Sequence, residues 1–348
     1  MDLADRIKSF EFLGDRLRRY HEHSVQEEMK PLIEAAANAS AFNQWFTPEL
    51  ITVALNNLGK ILTTENLNRW LWVYEDRLKQ LAGPKTIGVV MAGNIPAVGF
   101  HDFLCVLISG HKLVAKLSSS DDKLLPAMAS ILIEHNNDWQ DVIRFTSGRL
   151  ENFDAIIATG NSNTSKYFEF YFGKYPHIIR RNRNSIAVIN GNESKVALQS
   201  LAGDIMLFFG MGCRSISKIF VPAGYDFATL INCLGKYEDY ANHNKYRNNY
   251  EYYKSIFLVS QVPFIDTGFL LLKEDAGMAS RIAVLHYAYY DHPDEVVQSI
   301  SQHSEEIQCV INSTKLQVET KLPGEGQVPD LWDYADHVDT MEFLLSVF

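Results

Sequence analysis

Apolar positions across residues 1–82 recur at helical spacing. Leu3, Ile7, Phe10, Phe12 and Leu13 form one such series, and Leu50, Ile51, Leu55, Leu58 and Ile61 another. Thr47-Pro48-Glu49 predicts a cap followed by a proline in the first helical turn. Thr64-Glu65-Asn66 predicts the start of a further helix that carries Trp70 and Trp72, and Gly83-Pro84 breaks the pattern.

Beyond that break, short apolar runs alternate with helical stretches. Strands are predicted at 86–91, 112–117, 142–145, 154–158 and 185–189, with helices at 97–109, 124–135 and 164–172 between them. Such alternation predicts a parallel, doubly wound sheet whose ligands sit at the carboxyl ends of its strands. A second alternating stretch follows, with a helix at 195–209 and strands at 255–259, 268–272, 282–289 and 307–311. The tyrosine-rich segment 237–253 predicts a helical surface flap. The apolar tail, with Trp332, Tyr334, Phe343 and Phe348, predicts a segment that packs back on a neighbour. The expected organisation is a helical region over 1–82, a nucleotide-binding domain over 83–194, a catalytic domain over 195–322 and a returning tail over 323–348.

A length of 348 residues fits two domains better than one small core. With 47% hydrophobic and 21% charged residues, the composition is that of an ordinary globular protein. A formal charge of -10 without a basic block argues against nucleic acid or an anionic membrane as partner. Cys105, Cys213, Cys233 and Cys309 are scattered and form no CxxC pair, so neither a metal site nor a disulfide framework is expected. A reducing cytoplasm is the simplest compartment. Residues 1–20 are charged throughout, unlike a signal peptide or a membrane span.

Candidate chemistry falls at four places. In Phe209-Gly210-Met211-Gly212-Cys213-Arg214-Ser215, two glycines precede one thiol just ahead of a predicted strand. Glycines allow sharp bends and close approach, so Cys213 could act as a thiolate nucleophile; a small buried core residue is the ordinary alternative. Gly93-Asn94-Ile95-Pro96 follows the first strand, where an asparagine amide can face a developing oxyanion or merely form a turn. Lys116 ends the second strand, where a nucleotide ribose would lie, unless it is simply solvated. Thr159-Gly160-Asn161 precedes a helix, an arrangement that can hold a phosphate. No GxGxxG fingerprint is present.

The order of these motifs resembles the aldehyde dehydrogenase superfamily, and most closely its fatty acyl-CoA reductase branch, over roughly residues 45–348. The resemblance implies two doubly wound α/β domains with a helical N-terminal region and an active-site cleft between domains. It implies that Cys213 takes the acyl group from coenzyme A while Asn94 and the Cys213 N–H hold the oxyanion. Gly93 and Ile95 would border the cofactor, Lys116 would touch the adenosine ribose, and Thr159, Gly160 and Asn161 would lie near the pyrophosphate. Many NAD-preferring relatives carry a glutamate three positions after that lysine; here it is Ser119, which makes room for a 2'-phosphate and favours NADPH over NADH. Hydrolytic relatives carry a water-activating glutamate where this chain has Arg180 or one of its neighbours, in Ile179-Arg180-Arg181-Asn182-Arg183-Asn184-Ser185, a segment without a carboxylate. Arg180, Arg181 and Arg183 read as a solvated basic loop, with phosphate binding the other reading.

The implied activity is NAD(P)H-dependent reduction of an acyl-CoA or acyl thioester to an aldehyde. The alternatives are an aldehyde dehydrogenase acting on free aldehydes, or a non-catalytic binding protein on the same fold. The second glutamate of the superfamily has no match before Ile282, and a homo-oligomer is left open.

Overall fold

In the computed structural model, residues 1–21, 26–80, 83–313 and 316–347 are described. The expected boundary at residue 82 and the side chain of Phe348 lie outside them. The chain divides into one unit of residues 1–181 with 330–348, and a second of residues 182–329.

The first unit opens with helices α1 (Leu3–Arg18), α2 (Gln26–Phe42), α3 (Pro48–Ile61), α4 (Thr64–Leu71) and α5 (Glu75–Lys79). Thr47 caps α3 by accepting from the Leu50 amide at 3.3 Å, with Pro48 in the first turn where its missing N–H costs nothing. Phe10, Leu13 and Leu17 of α1 are fully buried and join one core with the sheet beyond. That sheet comprises β1 (Thr86–Val90), β2 (Lys112–Lys116), β3 (Ile143–Thr146), β4 (Ala155–Thr159) and β5 (His177–Arg180). Helices α6 (Phe100–Ile108), α7 (Leu124–His135) and α8 (Ser162–Phe172) connect them. All pairings are parallel and the order is β3-β2-β1-β4-β5. The winding therefore reverses between β1 and β4, where open α/β sheets receive their ligands.

The second unit carries β6 (Asn184–Val188), α9 (Lys195–Met206), β7 (Ile216–Pro222), α10 (Ala228–Leu234), α11 (Asn244–Val259), β8 (Ile265–Asp266), β9 (Leu271–Glu274), β10 (Val284–Tyr290), α12 (Pro293–Gln302) and β11 (Ile307–Asn312). Its sheet runs β11-β6-β7-β10-β9-β8, parallel except for the β8–β9 pair. Finally α13 (Thr340–Ser346) packs in the first unit, with the Leu344 carbonyl 3.0 Å from His111 Nε2. Tyr334 accepts from Trp70 Nε1 at 2.8 Å in the same unit.

Three expectations need correction. Residues 255–259 are the end of α11, not a strand: Tyr246, Tyr250 and Phe257 all fall on one buried helical face, and that spacing outweighs the β-favouring Ile-Phe-Leu-Val ending. The same burial makes 237–253 more than a surface flap, since Tyr246 is only 1% exposed. The strand at 185–189 belongs to the second sheet, paired with β7 and β11, and the fifth strand of the first sheet is the unforeseen β5. A polar turn of only a few residues separates β5 from β6, so the two strands read as one region in sequence.

Candidate active site

The register of the first sheet gathers most of the expected cofactor residues on one edge. Val90 pairs with Lys116 and with Ala158, so the chain leaves β1, β2 and β4 at the same end. There Asn94 and Ser119 are exposed, and Ile95, Lys116, Thr159 and Gly160 are half-buried. The Met91 amide donates to the Lys116 carbonyl at 3.0 Å, which continues the pairing beyond β1.

Gly93 is buried because the loop after β2 lies against it. A Cβ at Gly93 would stand 2.5 Å from both Cβ and Oγ of Ser118, a distance that only glycine tolerates. Asp121 completes this contact. Its Oδ2 accepts from the Ala97 amide at 2.7 Å, and Ala97 holds a left-handed φ of 55°. Burial pushes the Asp121 carboxyl up to about 6, against the opposing pull of the Ala97 and Leu124 amides. The loop bearing Asn94 and the loop bearing Ser119 are thus tied together by a buried carboxylate.

Asn161 does a more local job. Its side-chain oxygen accepts from the Asn163 amide at 3.0 Å and the Thr164 amide at 2.9 Å, which caps α8. Two amides at that helix end are therefore already engaged. Arg180 is not part of a solvated loop: it is buried at the end of β5. Its Nη1 lies 2.5 Å from Asp102 Oδ2, and Nη2 donates to Thr340 Oγ1 at 2.8 Å. Arg181 is exposed and pairs with Glu169 at 2.6 Å, and Arg183 donates to the Ser304 and Ile307 carbonyls.

In the second unit, Cys213 is exposed on a turn between α9 and β7. Both peptide planes beside its Cα are held. The Gly212 carbonyl accepts from the Ser215 amide at 3.0 Å, and the Cys213 carbonyl accepts from Ser185 Oγ at 3.0 Å. Ser215 Oγ also accepts from the Gly212 amide at 3.2 Å. These bonds set φ and ψ at Cys213, and hence the directions of its thiol and its N–H.

The backbone leading into the turn is strained. Phe208 and Phe209 have φ of 54° and 57°, and Gly210 follows with 71°. A left-handed non-glycine residue costs on the order of 1–3 kcal/mol and persists where packing demands it. The packing is aromatic: the Phe209 ring lies 4.3 Å from Tyr240, 4.6 Å from His243 and 5.7 Å from Tyr246. A cavity of about 20 Å³ lined by Phe209, Gly210, Ile216 and Tyr246 adjoins this segment, with room for about one water.

An exposed cysteine thus follows a strained backbone segment, in a chain with two mainly parallel sheets. The acyl-CoA reductase (LuxC) family model matches residues 2–236. The chain belongs to the acyl-CoA reductase (LuxC) family. It is 26% identical over 174 residues to a long-chain acyl-protein thioester reductase from Aliivibrio fischeri, a match covering 45% of this chain and 36% of that protein. Thus the matched region spans little more than a third of the curated relative's length.

Solved structures show the fold. The aldehyde dehydrogenase KauB from Pseudomonas aeruginosa superposes with a TM-score of 0.62 at 13% identity, covering 91% of this chain and 73% of that one. An NAD+ complex of an aldehyde dehydrogenase from Bacillus cereus superposes with a TM-score of 0.59 at 14% identity, again covering 91% and 73%. This member of the LuxC family thus has the aldehyde dehydrogenase-like α/β fold, with mainly parallel sheets flanked by helices.

Sequence reasoning missed Asp121, Ser185, Ser215 and the aromatic support of Phe209. Asp121 carried no distinct signal, because aspartates just ahead of a helix are its ordinary N-terminal preference. Single serines carry none either. Among the described residues, no group of three or more His, Cys, Asp or Glu could hold a metal ion, and no helix is long and apolar enough to cross a membrane.

Proposed function

We propose that this chain reduces an acyl-CoA or related acyl thioester to an aldehyde, with Cys213 as the nucleophile and NADPH as the preferred reductant. The observation that carries the reading is the exposed Cys213 thiol on a turn whose two flanking peptide planes are pinned, in a chain of the LuxC family. The Cys213 thiolate attacks the thioester carbonyl. The Cys213 N–H, whose plane is set by the Ser215 amide, donates to the oxyanion, and Asn94 has the partner role by its place in the motif order. The carbon–sulfur bond to coenzyme A breaks, coenzyme A leaves as its thiolate, and the acyl group remains on Cys213.

The residues at the first sheet's edge suit a nicotinamide dinucleotide. Lys116 offers a cation, and Ser119 is an exposed hydroxyl where a carboxylate would repel a 2'-phosphate. Gly93, Ile95, Thr159 and Gly160 leave the same end of the sheet, while Asn161 serves by fixing α8. Such a cofactor supplies the hydride that takes the acyl group to the aldehyde level. Cys213 is then released as thiolate when the carbon–sulfur bond breaks.

Oxidation to a free acid would need a base that activates water. The segment 179–185 has no carboxylate, and Arg180 in it is committed to Asp102 and Thr340. Reduction is therefore favoured over acid formation. Cytoplasmic location follows as part of the same reading, since acyl-CoA and reduced nicotinamide are supplied there.

The test follows consumption of reduced cofactor with a long-chain acyl-CoA, with NADPH and NADH side by side. Wild-type protein should form aldehyde, faster at low NADPH than at low NADH. Cys213→Ala should lose roughly a thousandfold or more in rate, the scale of removing a covalent nucleophile. Undiminished reduction by Cys213→Ala would overturn the mechanism.

A further inference from the structure

The mechanism leaves one buried carboxyl group in the second unit unused. Asp204, in the last turn of α9, is 1% exposed. Its Oδ2 accepts from the Gly324 amide at 2.6 Å, and the amides of Gly326 and Gln327 also donate to the carboxylate. Segment 322–329 is therefore wrapped around an anion. Gly324 has a φ of 95°, and a Cβ on Gly326 would stand 2.9 Å from Asp204 Oδ1, so both glycines are needed for so close an approach. Three amides on one carboxylate make a strong local anchor.

The anchored strap delivers Gln327 to the nucleophile's turn. Gln327 Nε2 donates to the Asp204 carbonyl at 3.2 Å, satisfying one of the carbonyls that a helix end leaves without a helical partner. It also donates to Ser215 Oγ at 3.2 Å. Ser215 Oγ is the atom that accepts from the Gly212 amide, and the Ser215 amide holds the Gly212 carbonyl. A continuous run of hydrogen bonds thus leads from the Asp204 carboxylate through residues 324–327 and Ser215 to the two peptides that flank the Gly212 Cα, the second of which carries the Cys213 N–H. Neither the family model, which ends at residue 236, nor the motif order touches this strap.

We propose that Gln327 is a positioning residue for Cys213: anchored on Asp204, it fixes the Ser215 hydroxyl, which holds the Gly212 amide one peptide before the Cys213 N–H and so steadies the turn that orients Cys213. This rests on the reading of Cys213 as the nucleophile. Loss of the Gln327 amide would free Ser215 Oγ to rotate, and the Gly212 amide would lose a fixed acceptor. The Cys213 N–H would then spend less time aimed at the oxyanion, an effect on the transition state rather than on substrate binding.

The experiment compares Gln327→Ala, Gln327→Glu, Ser215→Ala and the Gln327→Ala/Ser215→Ala double variant. Gln327→Glu nearly preserves shape but removes both donated hydrogens, so it tests the contact even if the alanine variant folds poorly. Each should lower kcat for acyl-CoA reduction by roughly tenfold or more, the scale of a misaligned reacting group, with KM nearly unchanged. Alkylation of Cys213 by iodoacetamide should show an altered pH–rate profile in each, with or without any reductase activity. The double variant should be no worse than the worse single variant, because Gln327 acts through Ser215. An unchanged alkylation profile in Gln327→Glu, or additive losses in the double variant, would overturn the proposal. Cys213→Ala separates the two readings: if it remains active, the nucleophile assignment has failed; if it is dead while Gln327 variants match wild type, only the positioning role has failed.

Discussion

The loops at the carboxyl edge of the first sheet and the turn before β7 in the second unit differ in what touches them directly. In the first unit, buried charge does the holding: Asp121 grips the Ala97 amide, and Arg180 closes β5 by pairing with Asp102. Around Cys213 the immediate contacts are neutral hydroxyls, amides and aromatic rings, and the backbone itself is strained at Phe208 and Phe209. A binding edge can rely on ordinary βα turns stiffened from below. A nucleophile, the role proposed for Cys213, must point outward from a fixed position; the turn that carries it follows two bulky residues in left-handed conformations, of which Phe209 packs on Tyr240, His243 and Tyr246.

If this contrast is right, the largest single effect on stability lies in the first unit. Arg180→Ala leaves the Asp102 carboxylate buried without its cation and should destabilise the first unit by about 3–5 kcal/mol. Arg181→Ala, at the exposed pair with Glu169, should cost less than about 1 kcal/mol. Denaturant titration of both variants checks the difference. Comparable losses would mean that burial is not what distinguishes the two arginines. Replacing the buried pair together, as Arg180→Met with Asp102→Leu, should recover most of the loss, because no lone charge remains inside.

Removal of the aromatic support in the second unit comes next. Phe209→Ala deletes a buried ring that stacks near Tyr240 and His243, and should cost about 3 kcal/mol. It should also slow alkylation of Cys213, since the turn loses what forces its direction. Phe209→Leu keeps part of the packing and should fall between. A Phe209→Ala protein with wild-type thiol reactivity would show that strain and nucleophile are unconnected. Burial pushes the Tyr240 and Tyr246 phenols in these contacts up, so both stay neutral at ordinary pH and their titration should not alter the stability offset.

The same contrast explains what could be read from sequence. Alternation of apolar runs and helical stretches marked β1, β2, β4 and α7 closely, because each is a regular element that buries its apolar residues. Cys213 was legible as an accessible thiol because glycines precede it, and the structure leaves it exposed. Long-range partners were not legible. Gln327 lies more than a hundred residues from Ser215, and nothing in a short Gly-Glu-Gly-Gln stretch names the helix end it will wrap. The left-handed Phe209 is hidden for a different reason: local propensity argues against it, and the rings of Tyr240, His243 and Tyr246 packed on it come from a segment thirty or more residues away. The position of Arg180 illustrates both limits, since a run of arginines reads as solvated until Asp102 and Thr340 are found beside one of them.

The smallest predicted effect is a pH dependence from Asp121 in the first unit; burial pushes Asp204 in the second unit up to about 6 as well, and Asp204 is unchanged in every protein compared. Burial raises the Asp121 carboxyl to about 6, whereas the unfolded chain ionises near the ordinary value of about 3.9. For a carboxyl raised in the folded state, the sign is the reverse of the usual salt-bridged case. Its contribution to stability is present in full below the unfolded value and is lost as pH rises through about 6. Asp121→Asn cannot ionise, yet its side-chain oxygen can still accept from the Ala97 amide. Relative to wild type, this variant should therefore gain about 1–2 kcal/mol between about pH 4 and about pH 7.5, measured by urea unfolding. Phe209→Ala carries no such titration and should track the wild-type pH slope above neutrality. If Asp121→Asn also follows the wild-type slope, the carboxylate is not strained by burial, and the loop carrying Asn94 is held by the close Gly93–Ser118 contact alone.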